Sequence, residues 1–169
     1  MIEFRCDNLL EADAEALVNA VNTVGVMGKG IALQFKRRFP ENFRAYERAC
    51  KKDDVQIGKM FTVYLGESTN PRYIINFPTK RSWREKSRLE YVREGLEDLL
   101  CEIERLGIRS IAVPSLGCGN GGLSWDTEVR PLIEGAFARK PEVQVYAYEP
   151  SPEAEPVTGP RRREKPRRS

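Results

Sequence analysis

The stretch LVNAVNTVGVMGKGIALQFK, Leu17 to Lys36, restricts what this 169-residue chain can fold into more than any other segment. It opens with an apolar run around Leu17-Val18 that reads as a buried strand, passes Asn19 and Asn22, and enters a loop holding Gly25, Gly28 and Gly30. A helical pattern follows, with Ile31, Leu33, Phe35 and Phe39 on its apolar positions. Lys36, Arg37 and Arg38 stand at its C-terminal end, where cations suit the helix dipole. Strand, glycine-rich loop and helix N-terminus together make an anion site, because glycines let backbone N–H groups approach phosphate oxygens while the dipole favours negative charge. The order G-x-x-G-x-G matches neither the dinucleotide fingerprint nor the P-loop, since Lys29 is followed by Gly30 and no hydroxyl is there to hold magnesium. Spacing alone leaves two readings open, a flexible strand-to-helix turn and a ligand cradle. Asn19 and Asn22 favour the cradle, as amides at a strand's C-terminal end are placed to hydrogen-bond a ligand hydroxyl.

A chain of this length with 40% hydrophobic residues supports one domain with a real core. Histidine is absent, and Cys6, Cys50, Cys101 and Cys118 show no C-x-x-C spacing, so neither a metal set nor a cofactor is expected. The same absence removes Ser-His and Cys-His nucleophile pairs and leaves acid, base or nucleophilic work to Lys, Asp, Glu, Tyr or Cys. The N-terminus MIEFRCDNLL carries no basic leader, and no segment approaches the ~18 apolar residues of a membrane span. A soluble cytoplasmic protein with reduced thiols and no membrane contact is therefore expected. Residues 150–169 hold six of the 28 basic side chains and three of the 25 acidic ones, so the whole formal excess of +3 sits there. Residues 151–169, rich in proline and arginine, read as a disordered basic tail that solubilises the chain or adds salt-dependent attraction to phosphate backbones.

Strands and helices alternate along the rest. Ile2 to Cys6 reads as a first strand ending at the turn-prone step Asp7-Asn8-Leu9-Leu10, and ALVNAV as a central strand. Pro40 opens a second helix, with Phe43, Tyr46 and Ala49-Cys50 at helical spacing. Met60–Leu65 and Tyr73–Phe77 read as strands in a hairpin-like connection, followed by a polar loop, Pro78-Thr79-Lys80-Arg81-Ser82-Trp83-Arg84. A long helix follows, with Ser87 and Glu90 as a capping box, Leu89, Val92, Leu96, Leu99, Leu100, Ile103 and Leu106 as its stripe, and Gly107 as its stop. Ser110–Pro114 reads as a strand covered on both faces that discharges into a second glycine-rich loop, Ser115 to Leu123. Ser124 or Asp126 caps a last helix to about Arg139, and Val143–Tyr148 closes the sheet. In an open α/β sheet the ligand crevice lies beyond the carboxyl ends of the strands, so the two loops can face each other, and two loops gripping phosphates imply a diphosphate.

The Asp7-Asn8-Leu9-Leu10 step, LVNAVN, GVMGKGIA and VPSLGCGNGGLSW stand in the order of the macro domain family, which binds ADP-ribose, and residues 1–150 resemble that family. The resemblance implies a three-layer α/β/α sandwich with a mixed central sheet. Met27 to Ala32 followed by Phe35-Lys36 is most similar to the branch holding terminal ADP-ribose glycohydrolases, and closer still to its antitoxin members that remove ADP-ribose from thymidine bases in DNA. By that resemblance Asp7, with Asn8 and Leu9 beside it, accepts from the adenine amino group, and Tyr148 stacks on the base. Met27, Gly28, Lys29, Gly30, Ile31 and Ala32 form one diphosphate loop, and Ser115, Leu116, Gly117, Cys118, Gly119, Asn120 and Gly121 the other. Pro78 and Thr79 border the ligand, Asn22 lies beside the distal ribose, and Lys80 falls at the branch's catalytic lysine. The human-type member carries an aspartate in the second loop; Gly121 stands near that place here, so Lys80 is expected to act without it.

An attacking amine requires partial burial or a cationic neighbour, which Arg81 and Arg84 are close enough in sequence to supply. Lys80 is expected to engage C1 of the distal ribose, as nucleophile or by proton transfer, with Asn22 holding the ribose. Trp83 either stacks on thymine or a flanking base, with Arg81 and Arg84 on backbone phosphates, or lids the core. The resemblance thus implies a monomeric glycohydrolase acting on ADP-ribosylated single-stranded DNA and opposing a cognate DNA ADP-ribosyltransferase toxin. An ADP-ribose reader without catalysis and a hydrolase of ADP-ribose esters on protein glutamates are the other two readings.

Overall fold

The computed structural model describes residues 1–150; the tail expected at 151–169 lies outside the described residues. The strands are β1 (Ile2–Arg5), β2 (Ala16–Asn22), β3 (Phe61–Tyr64), β4 (Tyr73–Lys80), β5 (Ser110–Val113) and β6 (Gln144–Tyr148). They form one sheet in the order β1-β6-β5-β2-β4-β3, parallel except for β3, which runs antiparallel to β4 at one edge. The helices are α1 (Gly30–Arg38), α2 (Pro40–Lys51), α3 (Leu89–Leu106) and α4 (Arg130–Phe137). Among the described residues no helix is long and apolar enough to cross a membrane, and no group of three or more Cys, Asp or Glu is placed to hold a metal ion.

Strict alternation along the parallel strands sends neighbouring side chains to opposite faces and so builds three layers. Ala16, Val18, Ile75, Phe77, Ile111, Val113, Val145 and Ala147 meet the stripe of α3 and the inner face of α4. Leu17, Ile74, Ala112 and Tyr148 meet Leu9, Leu10 and Phe35 on the other face. Two strand positions of that second face are polar. Asn19 and Asn76, paired in register and both fully buried, meet Asn42 of α2. Asn76 Nδ2 donates to Asn42 Oδ1 (2.9 Å) and to the Phe61 carbonyl (3.0 Å), and its Oδ1 accepts from Asn42 (3.2 Å) and Asn19 (3.3 Å). Asn19 is therefore a core residue rather than the ligand contact its position suggests.

Two local readings need correction. The segment read as a polar loop from Pro78 begins as strand: β4 runs on to Lys80, with Pro78 and Thr79 buried. A proline is tolerated because β3 stops pairing at Asn76, which leaves one side of β4 free of a partner. Ser87 and Glu90 form no capping box. The N-cap of α3 is Arg88, without a side-chain cap bond, and Ser87 instead donates its N–H to the Gly121 carbonyl at 2.9 Å. Ser124 does cap the last helical segment, but that segment starts as a π-helical turn, Trp125–Val129. The widened turn puts the answering carboxylate at Glu128, which accepts from the Ser124 N–H at 3.0 Å, four residues on instead of three.

Gly95 lets α3 lie against the sheet, since a Cβ there would overlap the Phe77 ring of β4. Gly95→Ala raises helix propensity by about 1 kcal/mol. Overpacking against a buried ring outweighs that gain, and a net loss of about 1–2 kcal/mol is expected in urea unfolding; a variant as stable as the parent would show that the ring moves aside freely.

Candidate active site

The carboxyl ends of β1, β6, β5, β2 and β4 open onto a cleft of about 980 Å³. At the β1–β6 end it is lined by Cys6, Asp7, Asn8, Leu9, Tyr148, Glu149 and Pro150. Asn8 Oδ1 accepts from the Leu10 N–H at 3.1 Å and fixes the turn that presents Asp7. Tyr148 is 5% exposed, and its hydroxyl is buried without a hydrogen-bond partner among the described residues. Burial holds its phenol above the ordinary value, with the Arg5 guanidinium acting in the opposite direction. The Cys6 thiol, 3.3 Å from Glu149, is likewise raised by that carboxylate.

In the middle the two glycine loops face each other. Gly28, Lys29, Gly30, Ile31 and Ala32 lie on one wall and Ser115, Gly117, Cys118, Gly119, Asn120 and Gly121 on the other. A Cβ on Gly30 would stand 4.0 Å from Asn120 Nδ2, which measures how near the walls come. Gly30 has φ +57°, a left-handed conformation that starts α1 at the cleft wall, where the first N–H groups of the helix have no partner within it. The Cys118 thiol is pushed up to about 11 by burial and is neutral near pH 7, so the second loop supplies backbone donors and no thiolate nucleophile.

At the β2–β4 end the register breaks. Val21 pairs with Pro78, but Asn22 pairs with Lys80, so Thr79 is the extra residue of a bulge. Past it the chains stay joined, as the Thr23 N–H and hydroxyl both reach the Arg81 carbonyl, at 3.2 and 3.0 Å. The bulge thus sets Asn22 and Lys80 side by side at the cleft, with Thr79, Trp83, Ala20, Val21, Val26 and Ser87 around them. Lys80 is half-buried and makes no ion pair among the described residues. The lining carboxylates, Asp7 and Glu149, both belong to the opposite end.

Asn22 is largely committed to holding the first loop. Its Oδ1 accepts from the N–H groups of Val24 (3.1 Å) and Val26 (3.4 Å), and its Nδ2 donates to the Val26 carbonyl at 2.8 Å. The Tyr46 hydroxyl, fully buried, lies 2.7 Å from the Asn22 carbonyl and 2.8 Å from Oδ1. Burial raises this phenol far above its ordinary value, so it remains a donor. One Nδ2 hydrogen of Asn22 is left for a ligand.

Of the side chains expected at the site, Met27, Leu116 and Pro78 do not line the cleft. Met27 packs with Val21 and Tyr46, Leu116 joins the main core, and Pro78 is buried in β4. Arg81 and Arg84 do not line it either; their guanidiniums lie over Tyr91 (5.5 Å to the centroid) and Trp83 (4.7 Å). Sequence reasoning missed Cys6, Val26, Gln34, Ser87, Pro114 and Glu149 as lining residues and Tyr46 as the support of Asn22. A Tyr rather than Phe at a core helical position was the signal for Tyr46, because a buried hydroxyl needs a partner. Ser87 also explains the bare Gly121: a Cβ there would lie 2.6 Å from Ser87 Oγ, so no aspartate fits without moving that serine.

The family model for the macro domain matches residues 18–131. The chain is 58% identical over 150 residues, 89% of its length, to a DNA ADP-ribosyl glycohydrolase of Thermus aquaticus, and the match covers 41% of that protein. The chain spans less than half the length of the curated relatives it matches at over 50% identity. Its fold superimposes on the macrodomain of Mycobacterium tuberculosis DarG with a TM-score of 0.87 at 56% identity, covering 89% of this chain and 99% of that one. Thermosipho africanus DarTG, solved in complex with ADP-ribose, matches with a TM-score of 0.81 at 35% identity, over 88% of this chain and 41% of that one. With facing glycine loops on a mixed six-stranded sheet, this chain belongs to the macro domain family.

Proposed function

We propose that this chain is an ADP-ribosyl glycohydrolase that removes ADP-ribose from thymidine bases in DNA. The observation that carries the reading is the β4 bulge, which pairs Lys80 with Asn22 across the strands where both line the cleft. A module that only reads ADP-ribose needs the loops and has no use for an amine there. Adenine lies at the Asp7–Tyr148 end, the diphosphate between the loops, and the distal ribose against Asn22, which points its C1 at Lys80. The bond from C1 to the base nitrogen breaks with its electron pair going to the base; Lys80 either bonds C1 and is then displaced by water, or passes a proton while water attacks. Positioning of this kind is worth several orders of magnitude in rate when reacting atoms are held near contact. The relatives' names support DNA as the substrate, and such DNA must first be made by a DNA ADP-ribosyltransferase, the enzyme this activity opposes.

Lys80→Ala is expected to reduce release of ADP-ribose from a modified oligonucleotide by about 10²-fold or more while calorimetry still detects ADP-ribose binding. Unchanged turnover would remove Lys80 from the reaction. Presented with three substrates, the parent chain should cleave ADP-ribosylated DNA and leave an ADP-ribosylserine peptide intact, because among the described residues no carboxylic acid lines the Lys80 end of the cleft to protonate an alkoxide. A glutamate-linked peptide decides the ester reading, and faster turnover of that ester than of the DNA would displace DNA as the substrate. Tyr46→Phe should lower kcat on the order of tenfold with a smaller change in KM, as the Asn22 amide loses its support; loss of thermal stability with kcat intact would make Tyr46 a packing residue only.

A further inference from the structure

Between Lys80 and α3 the chain carries Arg81, Arg84, Lys86 and Arg88 against a single carboxylate, Glu85. All four cations are exposed, and none has a carboxylate partner among the described residues. They lead into the N-terminus of an 18-residue helix, where the dipole opposes positive charge, and Arg88 occupies the N-cap without making a cap bond. Folding gives no reason for this arrangement, because like charges repel and the dipole adds to the repulsion. Their positions are nonetheless held. Arg81 and Arg88 lie over the same Tyr91 ring, 5.5 and 5.8 Å from its centroid, Arg84 lies over Trp83, and the Lys86 stem packs on the second loop, its Cδ 3.4 Å from where a Cβ on Gly122 would be.

Trp83 and Ser87 line the cleft while the four cations stand outside it, so the segment has an inner and an outer side. Trp83 is 51% exposed at the mouth. We propose that residues 81–88 are a docking track for a single strand of nucleic acid, with backbone phosphates on Arg81, Lys86 and Arg88 and a base stacked on Trp83, and that Lys86 and Arg88 contact strand flanking the modified nucleotide. An acidic polypeptide would meet the charges but has no flat faces to set on an exposed indole ringed by cations, whereas every base has one. The track rests on the glycohydrolase reading for its purpose, and its physical basis is independent of the reaction.

The test uses the full 169-residue chain, parent and K86Q/R88Q, with fluorescence anisotropy on an unmodified thymidine oligonucleotide across a salt series. The basic residues at 150–169 are common to both proteins, so the difference between them reports the track. Each lost phosphate contact lowers the log Kd against log salt slope by about 0.7, so the double variant should fall by about 1.4 and bind on the order of 50-fold more weakly at 50 mM salt, the gap closing as salt rises. K86R/R88K should keep the parent slope, and calorimetry with ADP-ribose should be the same for all three proteins. An unchanged slope in K86Q/R88Q, or polyglutamate competing as well as the oligonucleotide at equal charge, overturns the track. Turnover of ADP-ribosylthymidine as a free nucleoside by the parent chain answers separately for the hydrolase reading: its absence sinks that reading, and the salt slopes still decide the track.

Discussion

The buried amides of Asn19, Asn42 and Asn76 decide where β4 sits against β2, and the site follows from that register. Asn76 satisfies its donors and acceptor on Asn42, Asn19 and the Phe61 carbonyl, all on one face of the sheet. A slip of one residue would turn Asn76 toward α3, among Val92, Leu96 and Leu99, and leave its amide without partners in the apolar cluster. Leaving a buried donor or acceptor unpaired costs about 1–3 kcal/mol per group, more than an apolar pair at the same place would gain by slipping. With the register fixed upstream, the bulge at Thr79 has one outcome, which is to advance Lys80 to the level of Asn22.

The loops are held from behind as well as by their glycines. Asn22 and Tyr46 tie the first loop to β2 and α2, and Ser87 together with Leu123 holds the second, the Leu123 N–H reaching the Gly117 carbonyl at 3.0 Å. Asn22 and Tyr46 lie on β2 and α2, which pack in core clusters, and Leu123 packs against the main core, so both loops are held before any anion arrives. The cleft is also polarised along its length, with the carboxylates Asp7 and Glu149 at one end and the amines Lys29 and Lys80 along the rest. An extended ligand with a donor at one end and anionic groups inward of it has one favourable direction in such a field.

The layers, the element order and both loops were legible in the sequence because each rests on a local pattern. Apolar runs of four to eight residues, glycine clusters directly after them and a 3.6-residue stripe in α3 leave few alternatives. What escaped depends on contacts distant in sequence. Asn19 reads as a ligand residue until Asn76 is seen 57 positions on, and Ser87 reads as a cap until Gly121 claims its N–H. Pro78 argued for a loop, and only the early end of β3 makes room for it in a strand. Gly95 carries no signal at all, since the ring that requires it belongs to another element.

The missing carboxylate beside Lys80 then bears on the chemistry. A lysine working with an aspartate can divide the labour, one group at C1 and the other moving protons. Gly121, closed off by Ser87, denies this site that second group. On the proposed glycohydrolase reading, the leaving group therefore departs with little help from a carboxylic acid. A serine oxygen leaves as a localised alkoxide and depends on general-acid catalysis. A thymine leaves as an imide anion with its charge spread over two carbonyls and the ring, and can collect its proton afterwards from the lysine or from water. On that proposed reading, one amine, one amide and two backbone cradles suit a nucleobase leaving group better than a serine alkoxide, so the same glycine that departs from the branch pattern narrows the chemistry that can be proposed for the cleft.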